Sequence, residues 1–412
     1  MYRTSPPSSF AELVQHSMRQ QRVVERAAAR GVVTCLLLVL LVTTAGQLTA
    51  AMNKRWNQRK GAMKGTQRHS ILQHDGHQPT TSPEVSFVIL SFNHPDNVKP
   101  LCRAFGCGQE PASQELRGMS ELVVIEDGGG DARELWRAAA AASQGRTRVI
   151  ETDNLHEIRA YNTGFNASSS RILVMLQDDD LPPPPSKWLH PGTQLFKLHP
   201  RLALISCTDG FTTPEIFQDH YGRALPILTE DSRLPGTPFM FVVGANSGPV
   251  LYRAAAFQQV GGFNLSYSGP GEPGIGFETE ISLRLWLRGW QSAIMDCGEF
   301  QRGIGGHGTL SSEGKRQLRK RIWALNQEHM RNTFSMEVRQ GIASQVRKLN
   351  AEAPLRFRSR RHICHDLSER MKRRPASTGK EKVSRKGAKI VQPWYKRYQC
   401  GSGSPEVDGP MR

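Results

Sequence analysis

Four short apolar runs, separated by helix-length segments and each ending on a polar loop, constrain this chain more than any other feature. They are Val85–Leu90, "ELVVIE" from Glu121, "TRVIET" from Thr147 and "RILVMLQ" from Arg171. Runs that lack polar alternation form strands buried on both faces, which requires helices above and below a parallel sheet. The expected fold is therefore α/β, an open and mostly parallel sheet flanked by helices. In such a sheet the ligand sits outside the carboxyl ends of the strands. The stretches "SFNHPDN", "EDGGGD" and "QDDD" follow three of those ends, so three polar loops are expected to converge on one crevice.

From Met240 the pattern is less regular. "FVVGANSGPVLYR" reads as a further strand pair and "FETEISLRLWLRGW" as an amphipathic helix, with Leu283, Trp286, Leu287 and Trp290 at helical spacing and assigned to the core. No repeat at a solenoid period is present.

The chemistry is concentrated in Asp178, Asp179 and Asp180, which stand side by side before a proline run. Adjacent carboxylates repel one another unless a cation or water neutralises them, and a hard divalent metal is an economical solution. Mg²⁺ and Mn²⁺ commonly take one or two carboxylates and complete their shell with water and phosphate oxygens. Such a site suits a nucleotide diphosphate. The bland alternative is a solvated acidic loop that caps the following segment.

In order and spacing, "VSFVILSFNHPDNV", "ELVVIEDGGGD" and "NLHEIRAYNTGFNASSSRILVMLQDDDLPP" resemble the nucleotide-sugar-binding half of family 2 glycosyltransferases with a GT-A fold. The likeness continues through "GANSGPVLYRAAAFQQVGGFN" and "GFETEISLRLWLRGW", and so covers roughly Pro83 to His307. The resemblance implies that Ser91, Asn93 and Asp127 hold the base and ribose of a nucleotide sugar, with Glu126 a substitute for Asp127. It implies that the aspartates bind Mn²⁺ or Mg²⁺ and the diphosphate. Two alignments are open. Either Gln177 stands at the first acid position with Asp179 as the main ligand, which is favoured, or Asp178 and Asp180 form the pair. Asp178 and Asp179 are then donor-binding candidates, Asp179 and Asp180 metal candidates, and His307 in "GGHGT" a further metal or diphosphate ligand. Glu278 matches the family's catalytic base, because an attacking sugar hydroxyl must lose a proton. Glu280, two residues on, points elsewhere on a helix and is expected to set the helix start or pair with Arg284. The family implies a single displacement with inversion at the anomeric carbon. A catalytically inactive, membrane-tethered relative that binds glycans is the alternative, and the Gln177 departure is its one hint.

Gly31 to Met52 contains no charged residue and is long enough, as a helix, to cross a bilayer core. A cleaved signal peptide is the competing reading, weakened because about thirty residues precede the run. The expected order is a leader at 1–30, an anchor at 31–52, a stem at 53–83, a GT-A catalytic domain at 84–345 and a disordered basic tail at 346–412. Basic residues flank both sides of the anchor, so charge gives no orientation. A type II protein with its catalytic domain in the Golgi or endoplasmic reticulum lumen, acting on a glycan, glycoprotein or glycolipid acceptor, is the expectation. Asn166 and Asn264 head glycosylation sequons. The six cysteines beyond the anchor allow fifteen pairings, and free buried thiols compete with all of them. The formal charge is +17, but Ala351 to Arg412 holds 16 Lys and Arg against 6 Asp and Glu. The rest of the chain is only mildly basic, which with sparse aromatic interleaving argues against nucleic acid.

Overall fold

A computed structural model describes residues 83–107, 120–215, 220–222, 225–246, 248–269, 271–303 and 313–373. The expected anchor at 31–52 and His307 lie outside these residues. Among the described residues no helix is long and apolar enough to cross a membrane.

The four apolar runs become strands β1 (Val85–Ser91), β2 (Ser120–Glu126), β3 (Thr147–Glu151) and β4 (Ile172–Gln177). They are joined by helices α1 (Pro95–Phe105), α2 (Gly130–Ala142) and α3 (His156–Ala167). A parallel ladder runs β3-β2-β1-β4, with Val88 opposite Val123 on one side and Met175 on the other. Val88, Ile89, Val123, Val124, Ile125 and Val174 have no exposed surface. That enclosure explains their unbroken apolar sequence. Between α3 and this sheet the fit is tight, because a Cβ on Gly164 would strike Val88 and approach Ile125 at 3.2 Å.

After β4 come α4 (Pro185–Leu198), β5 (Leu202–Ser206), β6 (Phe239–Phe241), β7 (Val250–Arg253), α5 (Ala254–Gln259), α6 (Phe277–Leu287) and β8 (Gln291–Met295). The eight strands form one sheet in the order β3-β2-β1-β4-β7-β5-β8-β6. Strand β7 runs antiparallel to β4 and β5, while β8 is parallel to β5 and antiparallel to β6. The mixed α/β architecture with a mostly parallel first half is as expected. The two halves of "FVVGANSGPVLYR" do not pair with each other: Val250–Arg253 enters the sheet as β7, Phe241 ends β6, and Gly244–Ala245 forms a separate ribbon with Gly210–Phe211. A register fixed by distant partners leaves no local signal in the sequence.

Helix α6 also departs from expectation. It buries Phe277, Thr279, Glu280, Ile281, Ser282, Leu283, Leu285 and Trp286, so it is enclosed on most sides rather than amphipathic. Leu287, assigned to the core, is 56% exposed. It is the last helical residue, where the packing ends.

Helices α7 (Glu313–Thr333), α8 (Met336–Ala351) and α9 (Arg360–Arg373) complete the described chain. The domain boundary expected at 345 falls inside α8, and order continues beyond it. Leu355–Phe357 pairs with Thr229–Asp231, Ile363 is fully buried, and Arg358 bonds Asp366 at 2.7 Å. Averaging charge over the whole segment hid these sparse anchors. Among the described residues, two cysteine pairs face each other as disulfides, Cys102–Cys107 and Cys207–Cys297. The second joins the segments that follow the adjacent strands β5 and β8.

Candidate functional site

Strand order reverses at β1, which has β2 on one side and β4 on the other. Loops leaving such strands diverge to opposite faces and open a crevice at the carboxyl edge. The aspartates stand at this point. The Asp178 amide donates to the Leu90 carbonyl at 3.1 Å, and the Asp178 carboxylate accepts from the Phe92 amide at 2.9 Å. His94 Nδ1 lies 3.0 Å from the same oxygen. Asp178 thus stitches the ends of β1 and β4 together. Burial pushes its pKa up to about 6, against the pull of the Phe92 amide and His94.

All three aspartates are buried, at 7%, 3% and 1% exposure for Asp178, Asp179 and Asp180. A solvated acidic loop is therefore not what the chain forms. The Asp179 carbonyl accepts from the Gly303 amide at 2.8 Å. Asp180 Oδ2 accepts from the Gln177 amide at 3.0 Å, and Asp180–Leu181 forms a short antiparallel ribbon with Gln301–Arg302.

One pocket opens beside Asp180. Its lining includes Asp180, Gln177 and Leu176 from the β4 end, Glu157 and Tyr161 from α3, Phe277 and Glu278 from α6, and Arg319 from α7. Residues far apart in sequence, Asp180 and Glu278, thus share one cavity. Glu278 lies in the first turn of α6, whose start is set by Gly276 in the left-handed conformation at φ 77°. First-turn acids suit the helix dipole. The neighbouring Glu280 is nearly fully buried and grips Arg284 with both oxygens, at 2.6 and 2.7 Å. Arg284 in turn donates to the carbonyls of Val260 and Gly262. Glu280 therefore ties the "GGFN" loop to α6, while Glu278 is left facing the pocket.

Glu157 was not singled out from the sequence. Its Oε2 accepts from the Gly274 amide at 2.9 Å and lies 3.3 Å from His156 Nδ1. Burial pushes the Glu157 pKa up, but the bonds from His156 and Gly274 prevail and hold it below the usual carboxylate range. His156 is raised in return, chiefly by its bond to Glu157. Its position in a helix first turn after "NL" was the only local signal.

The nucleotide candidates are distributed unevenly. Asp127 is buried and accepts from Thr152 Oγ1 at 2.7 Å, the Leu155 amide at 2.6 Å and the His156 amide at 2.8 Å. It caps the start of α3 from a distance. Glu126 Oε1 accepts from the Gly128 and Gly129 amides at 3.0 and 2.8 Å, while its Oε2 has no protein partner. Ser91 has no exposed surface, and its hydroxyl accepts from the Trp136 indole at 2.9 Å, which turns it into the layer under α2. Asn93 is exposed in the left-handed conformation, with its amide nitrogen facing the Gly128 and Gly129 carbonyls at 3.2 and 3.3 Å. A Cβ at Gly128 would come within 2.7 Å of the Asn93 amide, so glycine is required for the two loops to meet.

With regard to a metal, no group of three His, Cys, Asp or Glu side chains converges at ligating distance among the described residues. Asp180 nevertheless brings a hard carboxylate donor to the cavity, with Asp179 next to it in the chain. That donor set fits an ion that takes one or two carboxylates and fills its shell with water and phosphate.

Residues 113–259 match the sequence model of glycosyl transferase family 2. The matched stretch contains Asp127 and the aspartate triplet and ends before Glu278. No curated protein matches the chain. Among solved structures, the chain is similar to the mannosyltransferase PcManGT from Pyrobaculum calidifontis in complex with GDP-Man and Mn²⁺. Identity is 13% and the TM-score 0.41, over 75% of this chain and 85% of that one. It is also similar to GalNAc-T7 with UDP, GalNAc and Mn²⁺, at 15% identity and TM-score 0.44, over 60% of this chain and 48% of that one. A third likeness, at 12% identity and TM-score 0.40, is to S. aureus TarS 1-349 in complex with UDP-GlcNAc, over 58% of this chain and 65% of that one.

Proposed function

We propose that this chain is a glycosyltransferase that moves a sugar from a nucleotide-diphosphate donor to an acceptor hydroxyl with inversion. The observation that carries the reading is the meeting of Asp180 and Glu278 in one pocket at the strand-order reversal, beside a stretch that matches the family.

Glu278 removes the proton of the acceptor hydroxyl while that oxygen attacks the anomeric carbon. The bond from that carbon to the diphosphate breaks on the opposite face, and its electron pair leaves with the nucleoside diphosphate. Asp180, with Asp179 next to it, would hold Mn²⁺ or Mg²⁺. When bound, the ion supplies positive charge against the departing diphosphate. Asn93 and the glycine turn at Gly128 and Gly129 shape the nucleoside end of the crevice, and Asp127 fixes the α3 start that carries Glu157 into the pocket.

The proposed setting is the secretory lumen, with residues 31–52 as the anchor. The disulfides among the described residues support an oxidising compartment. Asn166 is exposed at the end of α3 and available to a glycan. The Asn264 side chain instead accepts from the Ser266 amide and hydroxyl at 3.1 and 2.8 Å, within the loop held by Glu280.

A thermal-shift screen of uridine- and guanosine-diphosphate sugars, with and without Mn²⁺, tests the reading. One donor should stabilise the wild type in a Mn²⁺-dependent way, and Asp180→Ala should abolish the shift. Glu278→Gln should keep the shift and transfer nothing. An active Glu278→Gln enzyme would remove the base assignment.

A further inference from the structure

Helix α7 carries its inward stripe beyond the surface it packs on. Positions 315, 319, 322, 326 and 330 share one helical face. Ile322, Asn326 and Met330 are buried, and the Asn326 amide donates to the carbonyls of Tyr267 and Ile275, both at 2.8 Å. An amphipathic helix would continue such a stripe with apolar residues. Here the two preceding positions are Lys315 and Arg319, both exposed. Arg319 lines the pocket that holds Asp180, Glu157 and Glu278, and is the cation of that lining among the described residues. Lys315 is near enough to His156 for its charge to act on the imidazole. His156 is the residue whose amide is held by Asp127. Arg319 therefore stands at the pocket with Asp180, and Lys315 one turn earlier on the side of His156.

Electrostatics supplies the reason for cations in these positions. Asp178, Asp179 and Asp180 stand together in low dielectric, and Glu157 and Glu278 add to the negative field. A diphosphate donor brings further negative charge, more than a single divalent ion can offset. A guanidinium adds a planar fork suited to phosphate oxygens, and an ammonium adds a compact point charge.

We propose that Lys315 and Arg319 form a cationic arm that binds the diphosphate group of the nucleotide donor. The inference rests on the donor reading above, and goes beyond it by assigning helix α7 to the donor site.

The test is calorimetric titration of the full chain with uridine and guanosine diphosphates in Mn²⁺, together with ligand-observed NMR of the two nucleosides. Lys315→Ala with Arg319→Ala should weaken the preferred diphosphate at least tenfold, leave the nucleoside signal unchanged, and flatten the salt dependence of binding. Arg319→Lys, which keeps the charge, should lose less than Arg319→Ala. Lys320→Ala, exposed and off that face of α7, should bind as the wild type does. Equal losses for diphosphate and nucleoside, or diphosphate affinity within twofold of wild type in the double variant, would overturn the arm while leaving the donor reading intact. A wild type that takes up neither diphosphate would overturn both.

Discussion

Glu280→Ala gives the most direct physical test of how the two first-turn carboxylates of α6 divide their work. Glu280 is 3% exposed in its side chain and Arg284 22%, so the pair lies largely out of water. Removing the carboxylate strands a mostly buried guanidinium, left with only the Val260 and Gly262 carbonyls. Breaking a buried pair from one side costs about 3–5 kcal/mol. The retained carbonyl bonds place the expected loss near the lower end, about 3 kcal/mol. In a domain of this size that lowers the melting temperature by roughly 6–12 °C. Urea unfolding should show a lower midpoint at unchanged slope, because the surface exposed on unfolding is the same. Arg284→Met leaves the more deeply buried partner with only the long bond from the Asn264 amide, at 3.4 Å, and should lose at least as much. The double variant should lose less than the two single losses together, with a coupling of about 2 kcal/mol. A loss below about 1 kcal/mol for Glu280→Ala, or simple additivity of the two, would refute a structural clamp at this pair.

The Cys207–Cys297 bridge closes a loop of 90 residues, which in the chain-entropy account is worth about 4.6 kcal/mol, against about 2 kcal/mol for the five-residue Cys102–Cys107 loop. Serine replacements should destabilise in that order under calorimetry, and the reverse order would refute it. His199 Nε2 lies 2.7 Å from Asp231, and burial holds its pKa below the ordinary imidazole value of 6.5 despite that partner. A depressed folded pKa means that stability is fully present above 6.5 and is lost as pH falls toward the folded value. Replacing His199 with Phe should flatten urea-unfolding stability over that window, and an unchanged slope would contradict it. Gly164→Ala forces a methyl against Val88 and should cost about 1–3 kcal/mol by overpacking, read from the denaturation midpoint.

The first half of the fold was legible because β1, β2 and β4 are enclosed on both faces, and enclosure writes an apolar run; the edge strand β3 is half-buried. Asp178 to Asp180 stood out in the sequence as adjacent carboxylates at the end of an apolar run, and all three are buried. The pairing of Glu280 with Arg284 followed from helical spacing alone. Other features depended on contacts between distant segments. Ser91, expected beside a nucleotide, is buried with its hydroxyl on the Trp136 indole. Glu157 and Arg319 reach the pocket only because α3 and α7 are placed there by packing elsewhere. The cysteine pairs and the sheet positions of β6 and β7 have no local code. Helix α6 carries Glu280 and Ser282 inside, so its enclosure could not be read from hydrophobic periodicity.

The short ribbon between Asp180–Leu181 and Gln301–Arg302, continued by the Gly303 amide on the Asp179 carbonyl, makes the acidic turn part of a seam shared with a distant stretch of chain. The main chain of both aspartates is held there, so neither can travel without dragging 301–303 along. Any force applied at that far thread is felt at the carboxylates as displacement rather than as a change of neighbouring charge.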